Sequence, residues 1–346
     1  MPRFRLGIAG FGRLAQQYYV PALQRLHCVD QVLVADPLDS SRRAASRAFS
    51  TGLVFADPTA LLAERPDGFV IATPPSSHLA LWRLAAGAGI PVLVEKPFVL
   101  PGELAPATGT PEEQRLLMID FNRRFWEPYR HIADLLRAGA VGPVARAELT
   151  LEVDVRPWCA VTSHRLDPRE GGVLYDLGSQ VVDLICWLLG GEPIAVRASE
   201  ERHHPPIHTV EVELDFPGGV VARCRVGYGE RTREALQIEG RTGLVWMADP
   251  NMAVHVRREP GARMWDRFHD LAVFGCRGLA RSRSMSRRSI ESALSAFVHA
   301  IRRSATLDPG FEVAARNTRL LEAASQAIEL GSEVQLTPAA AGSAHG

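Results

Sequence analysis

The stretch Phe4–Ala15 reads Phe-Arg-Leu-Gly-Ile-Ala-Gly-Phe-Gly-Arg-Leu-Ala, and it decides the fold of the chain that follows. Its first half, Phe4–Ala9, is mostly apolar and predicts a short buried strand. Gly10, Gly12 and Ala15 then form the pattern G-x-G-x-x-A, which marks a dinucleotide-binding turn when it lies between a strand and a helix. Gly10 permits the tight turn, Gly12 lets the backbone approach a pyrophosphate, and the small Ala15 lets helix and strand pack closely.

A helix predicted from Arg13 to about Leu26 completes this unit. The phosphates of a dinucleotide would lie at its N-terminal end, where backbone N–H groups and the helix dipole favour negative charge. The residues of the turn that we expect to contact the cofactor are Gly10, Phe11, Gly12, Arg13 and Leu14.

A second strand, predicted at Gln31–Ala35, ends at Asp36. A carboxylate at this distance after the glycine turn binds a ribose 2′-hydroxyl and repels a 2′-phosphate, so we expect Asp36 to contact the cofactor and NAD to be preferred. Arg42 and Arg43 follow closely and leave NADP open, because an arginine there can hold a 2′-phosphate. The favoured interpretation places both arginines on the solvated face of the next helix.

A third buried strand, predicted at Gly68–Ala72, is followed by Thr73-Pro74-Pro75-Ser76-Ser77-His78. Tandem proline ends the strand and exposes backbone at the carboxyl edge of the sheet, where ligands bind in open α/β folds. Ser76 or Ser77 is predicted to cap the next helix, and His78 is most simply interpreted as a helix-start residue. The residues of this motif that we expect at the cofactor edge are Thr73, Pro74 and His78.

The stretch Val92–Pro97 reads Val-Leu-Val-Glu-Lys-Pro and contains Lys96, the only lysine among the 39 Lys+Arg of the chain. Its apolar residues predict a buried strand, so Lys96 lies at the same sheet edge as the glycine turn. A partly buried ammonium there can lose its proton and the resulting amine can regain it, whereas a guanidinium stays protonated near neutral pH. We therefore expect Lys96 to be an acid/base and Glu95 and Lys96 to adjoin the cofactor. The alternative is a structural ion pair with Glu95 or a neighbouring acid.

The sequence pattern changes after Gly142. Apolar and polar residues alternate from Val144 to Val155, as in a half-exposed strand. Similar strands are predicted at about Ala195–Arg202, Thr209–Phe216, Val220–Tyr228, Ala235–Gly240, Gly243–Ala248 and Ala253–Arg258. One helix, from about Val173 to Leu189, interrupts them. The second half of the chain is therefore expected to form a mostly antiparallel sheet.

The remaining segments are assigned by composition and periodicity. Pro101–Pro111 is predicted as a loop and Arg115–Phe121 as a strand. Helices are predicted at about Tyr129–Ala138, Ser289–Ser304 and Phe311–Gly331. An arginine cluster (Arg277, Arg281, Arg283, Arg287 and Arg288) is interpreted as a solvated loop rather than a phosphate or nucleic-acid site, because aromatic residues are not interleaved with it.

These patterns predict an α/β protein whose residues 1–121 form a Rossmann domain with a doubly wound parallel sheet. Residues 122–336 are expected to form an α+β domain with a large, mostly antiparallel open sheet, and 337–346 a disordered tail. The formal net charge of zero implies no general attraction to nucleic acid or to membranes. No apolar run reaches the ~20 residues of a membrane span, and no leader is recognised, so we expect a cytoplasmic location. Five scattered cysteines without a C-x-x-C pair predict neither a metal site nor a redox motif.

The helix after Gly171-Gly172 presents Asp176, Gln180, Asp183 and Trp187 on one face, at spacings of four, three and four residues. Apolar residues form the opposite face. A solvated stripe usually mixes lysine, arginine and glutamate, and this stripe has none of them. We therefore expect the polar face to line a cleft.

Together, these motifs resemble the Gfo/Idh/MocA oxidoreductase family. The resemblance covers nearly the whole chain and rests on Gly10-Phe11-Gly12, Thr73-Pro74-Pro75 with His78, Glu95-Lys96-Pro97, Asn122-Arg123-Arg124-Phe125, Gly171-Gly172 through Asp183, and the final helix before Gly331. It implies a Rossmann domain, a second domain with an open antiparallel sheet, a nicotinamide cofactor and usually a sugar or cyclitol substrate. It also implies that Lys96 contacts the reacting hydroxyl and often precedes a cis-proline, and that the chain forms homodimers or homotetramers through the open sheet.

The sequence departs from the family at one position of the cleft helix. The family places an aspartate and a histidine four residues apart there, and the histidine is the usual acid/base. Asp176 matches the aspartate, but Gln180 occupies the histidine position, and a glutamine orients a hydroxyl or carbonyl without exchanging a proton near neutral pH. We therefore expect Lys96 to act as acid/base, with Asp176 tuning it and Gln180 orienting the substrate. The substrate contacts expected are Lys96, Arg124, Trp158, Asp176 and Gln180.

Three functions follow as hypotheses. The favoured one is an NAD(P)-dependent oxidoreductase that acts on a carbonyl or hydroxyl of a sugar, nucleotide sugar or cyclitol. The second is a catalytically silent sensor or partner subunit that binds NAD(H) and a ligand. The third is NAD-dependent glycosidic cleavage, which consumes no net cofactor. Each has a small carbohydrate-like molecule as its partner, and none involves nucleic acid or a membrane.

Overall fold

The chain forms two compact units. The computed structural model describes residues 3–49, 52–159, 167, 170–204, 206–249, 252–258 and 282–336. The first unit comprises Met1–Glu127, Trp158–Ser179 and Arg283–Arg319. The second comprises Pro128–Pro157, Gln180–Ser282 and Leu320–Gly346. Each unit is therefore assembled from segments that are distant in sequence.

Three sequence predictions fall wholly or partly outside the described residues. The expected tail at 337–346 lies outside them, as do Arg277 and Arg281 of the arginine cluster. The side chains of Arg283 and Arg287 are outside them as well, and Arg288 is exposed. The side chain of Trp158, expected to contact substrate, also lies outside the described set.

The first unit contains a six-stranded parallel sheet in the order β3-β2-β1-β4-β5-β6. Its strands are β1 (Arg5–Ala9), β2 (Gln31–Ala35), β3 (Leu53–Phe55), β4 (Gly68–Ile71), β5 (Val92–Val94) and β6 (Leu117–Ile119). The chain starts in the centre of the sheet, runs to one edge, and then returns to build the other half. This order confirms the predicted doubly wound Rossmann sheet.

Two of the described helices begin with a π-helical turn. In chain order the helices are α1 (π-helical Ala15–Tyr19, continued as Val20–Leu23), α2 (Asp39–Ala48), α3 (Pro58–Ala63), α4 (His78–Gly87), α5 (Pro111–Arg115), α6 (Glu127–Arg137), α7 (Arg156–Cys159), α8 (π-helical Leu174–Gly178, continued as Ser179–Leu189), α9 (Ser282–Arg302) and α10 (Phe311–Leu330). The wider π-helical turns at the start of α1 and α8 are a local geometry that often accompanies functional sites.

Alternate residues of the parallel sheet point into two cores, as expected when both faces are covered. One core contains Leu6, Ile8, Val70 and Leu93 with Phe297 of α9. The other contains Phe69, Ile71, Val92 and Val94 with Trp82 of α4 and Phe311 of α10. A Cβ added to Gly68 would lie 3.0 Å from the side chains of both Phe297 and Ile301, so this glycine allows α9 to approach the sheet closely. The two C-terminal helices thus help to build the sheet formed by the N-terminal strands.

The segment before β6 differs from its prediction. Thr110 starts α5 with a capping box, because its hydroxyl accepts from the Glu113 N–H at 3.2 Å while the Glu113 carboxylate accepts from the Thr110 N–H at 2.7 Å. Arg115 therefore belongs to a helix, and the strand predicted at Arg115–Phe121 is wrong at both ends. Only Leu117–Ile119 pairs with the sheet.

The second unit contains an eight-stranded sheet in the order β13-β12-β11-β7-β10-β9-β8-β14. Its strands are β7 (Val144–Val153), β8 (Ala195–Arg202), β9 (His208–Phe216), β10 (Val220–Tyr228), β11 (Arg233–Gly240), β12 (Gly243–Ala248), β13 (His255–Arg258) and β14 (Val334–Gln335). β7 and β10 pair in parallel, and the other neighbours are antiparallel. The predicted large, mostly antiparallel sheet is confirmed.

The two faces of this second sheet have opposite character. A row across β9, β10, β7 and β11 is at most 2% exposed and consists of Val212, Cys224, Leu149 and Leu236. On the other face, the Glu213 carboxylate accepts hydrogen bonds from Arg197 at 2.7 Å and from Arg223 at 2.6 Å. Such alternation is typical of a sheet that is buried on one side and faces water on the other.

Candidate active site

Lys96 forms a buried ion pair within the first unit. It follows β5 at the carboxyl edge of the parallel sheet, and its side chain is 9% exposed. Its Nζ donates to Oδ1 of Asp176 at 2.5 Å and to the backbone oxygen of Asp176 at 2.7 Å. The Lys96–Pro97 peptide is cis, as the family resemblance implies. The structure thus brings together two of the three residues predicted to be catalytic.

The local backbone explains this placement. β5 is a short, fully buried strand, and the Glu95 N–H still donates to the backbone oxygen of Ile71 at 2.9 Å, so the chain is held to the sheet up to Lys96. Asp176 belongs to the π-helical start of α8 and its side chain is 14% exposed. A charge this far from water depends on its partner, because an unpaired buried ion is costly.

The glycine turn has the shape that a dinucleotide requires. Gly10 has φ +87°, and a Cβ there would lie 2.6 Å from the backbone oxygen of Ala72, so only glycine fits. A Cβ added to Gly12 would meet nothing within 4 Å, which leaves space beside the backbone for a pyrophosphate. The residues present therefore fit the cofactor. Phe11 is buried, and Arg13 and Leu14 are half-buried.

Asp36 lies directly after β2 and is 6% exposed. Its Oδ2 accepts from the Phe11 N–H at 2.7 Å and its Oδ1 from the Leu38 N–H at 2.8 Å, so the carboxylate is fixed against the glycine turn. Arg42 donates to the backbone oxygens of Asp36 and Pro37 at 2.9 and 2.8 Å. The acid expected to bind the ribose is therefore held in place from both sides.

His78 links two loops at the sheet edge. It begins α4, as its helix-start interpretation predicts, and it is fully buried. Its Nδ1 lies 2.8 Å from the backbone oxygen of Pro97, and its Nε2 lies 2.9 Å from that of Thr73. Burial lowers the pKa of the His78 imidazole. The histidine thereby ties the loop after β4 to the loop that carries Lys96.

Ser77 occupies the N-cap position of α4, but its side chain makes no capping hydrogen bond. Its hydroxyl lies instead 2.8 Å from the Pro74 backbone oxygen, which can only accept, and 2.6 Å from Thr73 Oγ1. The Ser76 hydroxyl donates to the Glu170 carboxylate at 2.7 Å. The capping contact predicted for Ser76 or Ser77 is therefore wrong, because both hydroxyls bond to the loops around them.

Sequence reasoning missed a buried polar group beside Lys96. The Tyr19 hydroxyl lies 2.8 Å from Oε1 of Glu95 and 2.6 Å from Oδ2 of Asp120. Burial and the nearby Glu95 charge raise the pKa of Asp120 well above its ordinary value. Asp120 had a usable signal in the sequence, since an acid that follows an apolar strand reaches the ligand edge of a parallel sheet. Tyr19 had none, because it lies in a π-helical turn that the sequence pattern does not indicate.

The other predicted contacts are buried in separate parts of the chain. Arg124 is 8% exposed in the first unit. Gln180 is 7% exposed and Asp183 is 2% exposed, both in the part of α8 that belongs to the second unit. Burial of Gln180 and Asp183 excludes the solvated-stripe interpretation of this helix face.

Neither a metal site nor a membrane-spanning helix is found among the described ranges of residues. No group of three or more His, Cys, Asp or Glu side chains there is arranged to hold a metal ion. No helix within those ranges is both long enough and apolar enough to cross a membrane.

Similarity to known proteins agrees with this geometry. The inositol 2-dehydrogenase 4 of Saccharopolyspora erythraea is 28% identical over 278 residues, which are 73% of this chain and 76% of that protein. The rhizopine catabolism protein MocA of Rhizobium meliloti is 29% identical over 286 residues, 82% of this chain and 79% of that protein. An oxidoreductase from Agrobacterium radiobacter, solved in complex with NAD+, L-tartaric acid and magnesium, has the same fold, with a TM-score of 0.80 at 17% identity over 96% of this chain and 98% of that one.

Two models of a single protein family match successive segments of the chain. The model described as an oxidoreductase family with an NAD-binding Rossmann fold matches residues 4–114. The model of the GFO/IDH/MocA C-terminal domain matches residues 129–246. Together with the buried lysine at the edge of a dinucleotide-binding sheet, these matches show that the chain belongs to the Gfo/Idh/MocA family of NAD-dependent oxidoreductases.

Proposed function

We propose that this enzyme interconverts a secondary alcohol and a ketone on a sugar, nucleotide sugar or cyclitol, with Lys96 as the acid/base. The observation that carries the proposal is the buried contact between Lys96 Nζ and the Asp176 carboxylate at the ligand edge of the sheet. The named relatives include dehydrogenases of inositol, of D-apiose and of D-glucosides, which supports a polyhydroxylated substrate.

The glycine turn and Asp36 would hold the dinucleotide, with its pyrophosphate beside Gly12 and its ribose at the carboxylate. The bound nicotinamide supplies the hydride chemistry. The position of Asp36 favours NAD, because a carboxylate repels a 2′-phosphate. NADP stays open, since Arg42 lies close by.

Lys96 moves the proton at the substrate oxygen. During ketone reduction, the ammonium form donates a proton to the oxygen as negative charge develops on it. During alcohol oxidation, the neutral amine accepts the hydroxyl proton, and the hydrogen on the same carbon leaves with both bonding electrons as a hydride. Asp176 holds Nζ in position through Oδ1 and its backbone oxygen. Gln180 would orient a substrate hydroxyl, since its amide both donates and accepts hydrogen bonds.

Two substitutions of one residue test this role. Lys96→Met removes the proton carrier, so we expect turnover to fall by at least about 100-fold, as for loss of a general acid/base, while NAD binding persists. Lys96→Arg is the matched control, because it keeps the positive charge but does not release a proton near neutral pH. We expect both variants to be inactive. A Lys96→Met enzyme as active as the wild type would contradict the role of Lys96 as the acid/base.

The alternatives predict different observations in the same assays. A silent sensor would bind NAD(H) and show no hydride transfer across a broad panel of sugars and cyclitols. NAD-dependent glycosidic cleavage would release a leaving group while the absorbance of NADH stays constant. Either result with the wild-type enzyme would replace the dehydrogenase proposal.

Self-association through the open sheet is part of the proposal. The water-facing side of this sheet carries alternating charges, with Arg225 also paired to Glu211 at 2.6 Å and to Glu152 at 2.9 Å. A second copy could match this pattern with its own, giving a homodimer or homotetramer. Arg223→Glu should then reduce the mass measured by light scattering, and an unchanged mass would argue against this interface. The cytoplasmic location and the domain boundaries at 121 and 336 also stay predictions.

A further inference from the structure

Tyr19, Glu95 and Asp120 form a closed polar cluster behind Lys96, which we call the acid triad. Relative exposure is 0% for Tyr19, 5% for Glu95 and 0% for Asp120. Each member comes from a different element of the first unit: the π-helical turn of α1, the end of β5 and the end of β6. Water therefore contributes little to the hydrogen bonding of the triad.

If both acids are ionised, the triad contains one proton, whereas its two oxygen–oxygen contacts need two protons to be hydrogen bonds. The Tyr19 hydroxyl has a single proton, yet carboxyl oxygens lie 2.8 Å and 2.6 Å from it on two sides. One of these contacts would then place two oxygen lone pairs against each other. A second proton makes both contacts hydrogen bonds: one carboxyl O–H donates to the tyrosine oxygen, and the tyrosine O–H donates to the other carboxylate.

The surroundings assign that proton to Asp120. Its Oδ1 is buried and has no hydrogen-bond partner, which is costly for a carboxylate and much less so for a neutral acid. The charged and titratable groups that act on it are Glu95, Tyr19 and Lys96. Burial and the interaction with Glu95 favour the protonated form, against the opposing effects of the Tyr19 hydrogen bond and of Lys96.

Charge balance around Lys96 also supports one extra proton in the triad. The ammonium is paired with Asp176 on one side, and Glu95 and Asp120 lie behind it. Three ionised carboxylates would place three negative charges near one positive charge in a buried site. A proton on Asp120 reduces them to two.

We propose that the acid triad binds one extra proton at neutral pH, with Asp120 as a neutral carboxylic acid, so that a single negative charge stands behind Lys96. The hydrogen bonds then run in one direction, from the Asp120 acid to the Tyr19 oxygen and from the Tyr19 hydroxyl to the Glu95 carboxylate. Asp120 is thereby a positioning residue that fixes the charge next to the lysine, without itself touching the substrate.

Infrared spectroscopy of the intact protein tests the proposal without turnover, so its failure is distinct from failure of the proposed function. The wild-type protein at neutral pH should show the carbonyl band of an un-ionised carboxylic acid. The band should shift when the protein is made with aspartate that carries heavy carbon in its side-chain carboxyl. Asp120→Asn should remove it, and Asp134→Asn, a matched change at an exposed side chain, should leave it in place.

Labelling also distinguishes the two acids, and it covers the case in which Asp120→Asn does not fold, because it needs no substitution. Glu95→Gln should weaken or remove the band, because the Glu95 charge is one of the effects that keep Asp120 protonated. A wild-type band that moves with labelled glutamate, or one that does not move with labelled aspartate, would overturn the assignment to Asp120. A wild-type protein with no acid band at neutral pH would overturn the proposal as a whole.

Discussion

Replacing Asp176 with alanine should leave the Lys96 ammonium buried beside a single backbone oxygen. The side chains of the pair are 9% and 14% exposed, so little water is available to replace the lost carboxylate. Breaking a buried ion pair from one side costs about 3–5 kcal/mol. The backbone oxygen of Asp176, 2.7 Å from Nζ, keeps one charged hydrogen bond and reduces that loss. We expect Asp176→Ala to lower the free energy of unfolding by about 2–4 kcal/mol.

A double-mutant cycle in urea isolates this interaction. Lys96→Met alone removes the ammonium that pairs with the Asp176 carboxylate, whereas the double variant contains neither charge. The double variant should therefore lose less stability than the two single variants together, with a coupling energy of about 1–3 kcal/mol. Asp134→Ala is the control, because its side chain is 73% exposed in a surface pair with Arg137 and should change stability by less than about 1 kcal/mol. Additive costs within about 0.5 kcal/mol would refute the reasoning.

Gly10→Ala should lower the free energy of unfolding by at least about 1–2 kcal/mol, because the φ of Gly10 is +87° and an added Cβ would meet a backbone oxygen at 2.6 Å. Gly12→Ala should fold normally but weaken NAD binding about tenfold, as measured by calorimetry. Asp36→Ala should lower the ratio of kcat/KM for NAD over NADP, and an unchanged ratio would contradict its assigned role. The raised pKa of Asp120 contributes stability that is present below about pH 4 and is lost as the pH rises. In urea titrations, the unfolding free energy of the wild type should therefore fall relative to that of Asp120→Asn by up to about 1.36 kcal/mol per pH unit. Phe297→Ala should destabilise the protein by about 3–5 kcal/mol in the same assay, since its ring is fully buried against the parallel sheet.

The fold class was predictable because each half of the chain repeats one strong local pattern. Fully apolar strands that end in glycine, aspartate, threonine or lysine specify a parallel sheet with its ligand edge, and the alternation around Leu149 and Leu151 specifies a half-exposed antiparallel sheet. Lys96 was predictable for a separate reason, since one lysine among arginines needs a chemical explanation. The structure then gave it a buried partner, Asp176, which excludes a pair with Glu95 as the main contact.

Features that depend on contacts distant in sequence were not predictable. Tyr19 contacts Glu95 and Asp120 from the π-helical turn at the start of α1, and helical periodicity alone gives no sign of that turn. The start of β6 was missed because the capping box at Thr110 lies inside a segment rich in proline, glycine and alanine. Gln180 is the position at which the chain departs from the family. The turnover of the Lys96 variants tests whether Lys96 replaces the missing histidine as the acid/base.

The position of Phe297 and Phe311 has a consequence for synthesis on the ribosome. The six parallel strands are complete once Ile119 has been made, but both cores of their sheet also need side chains from α9 and α10. The nascent chain must therefore carry an incompletely covered apolar sheet while more than 150 further residues, including nearly all of the second sheet, are translated. We expect that holding chaperones or early self-association matter most during this interval, and that a premature stop before α9 yields an aggregating fragment rather than a free-standing nucleotide-binding domain.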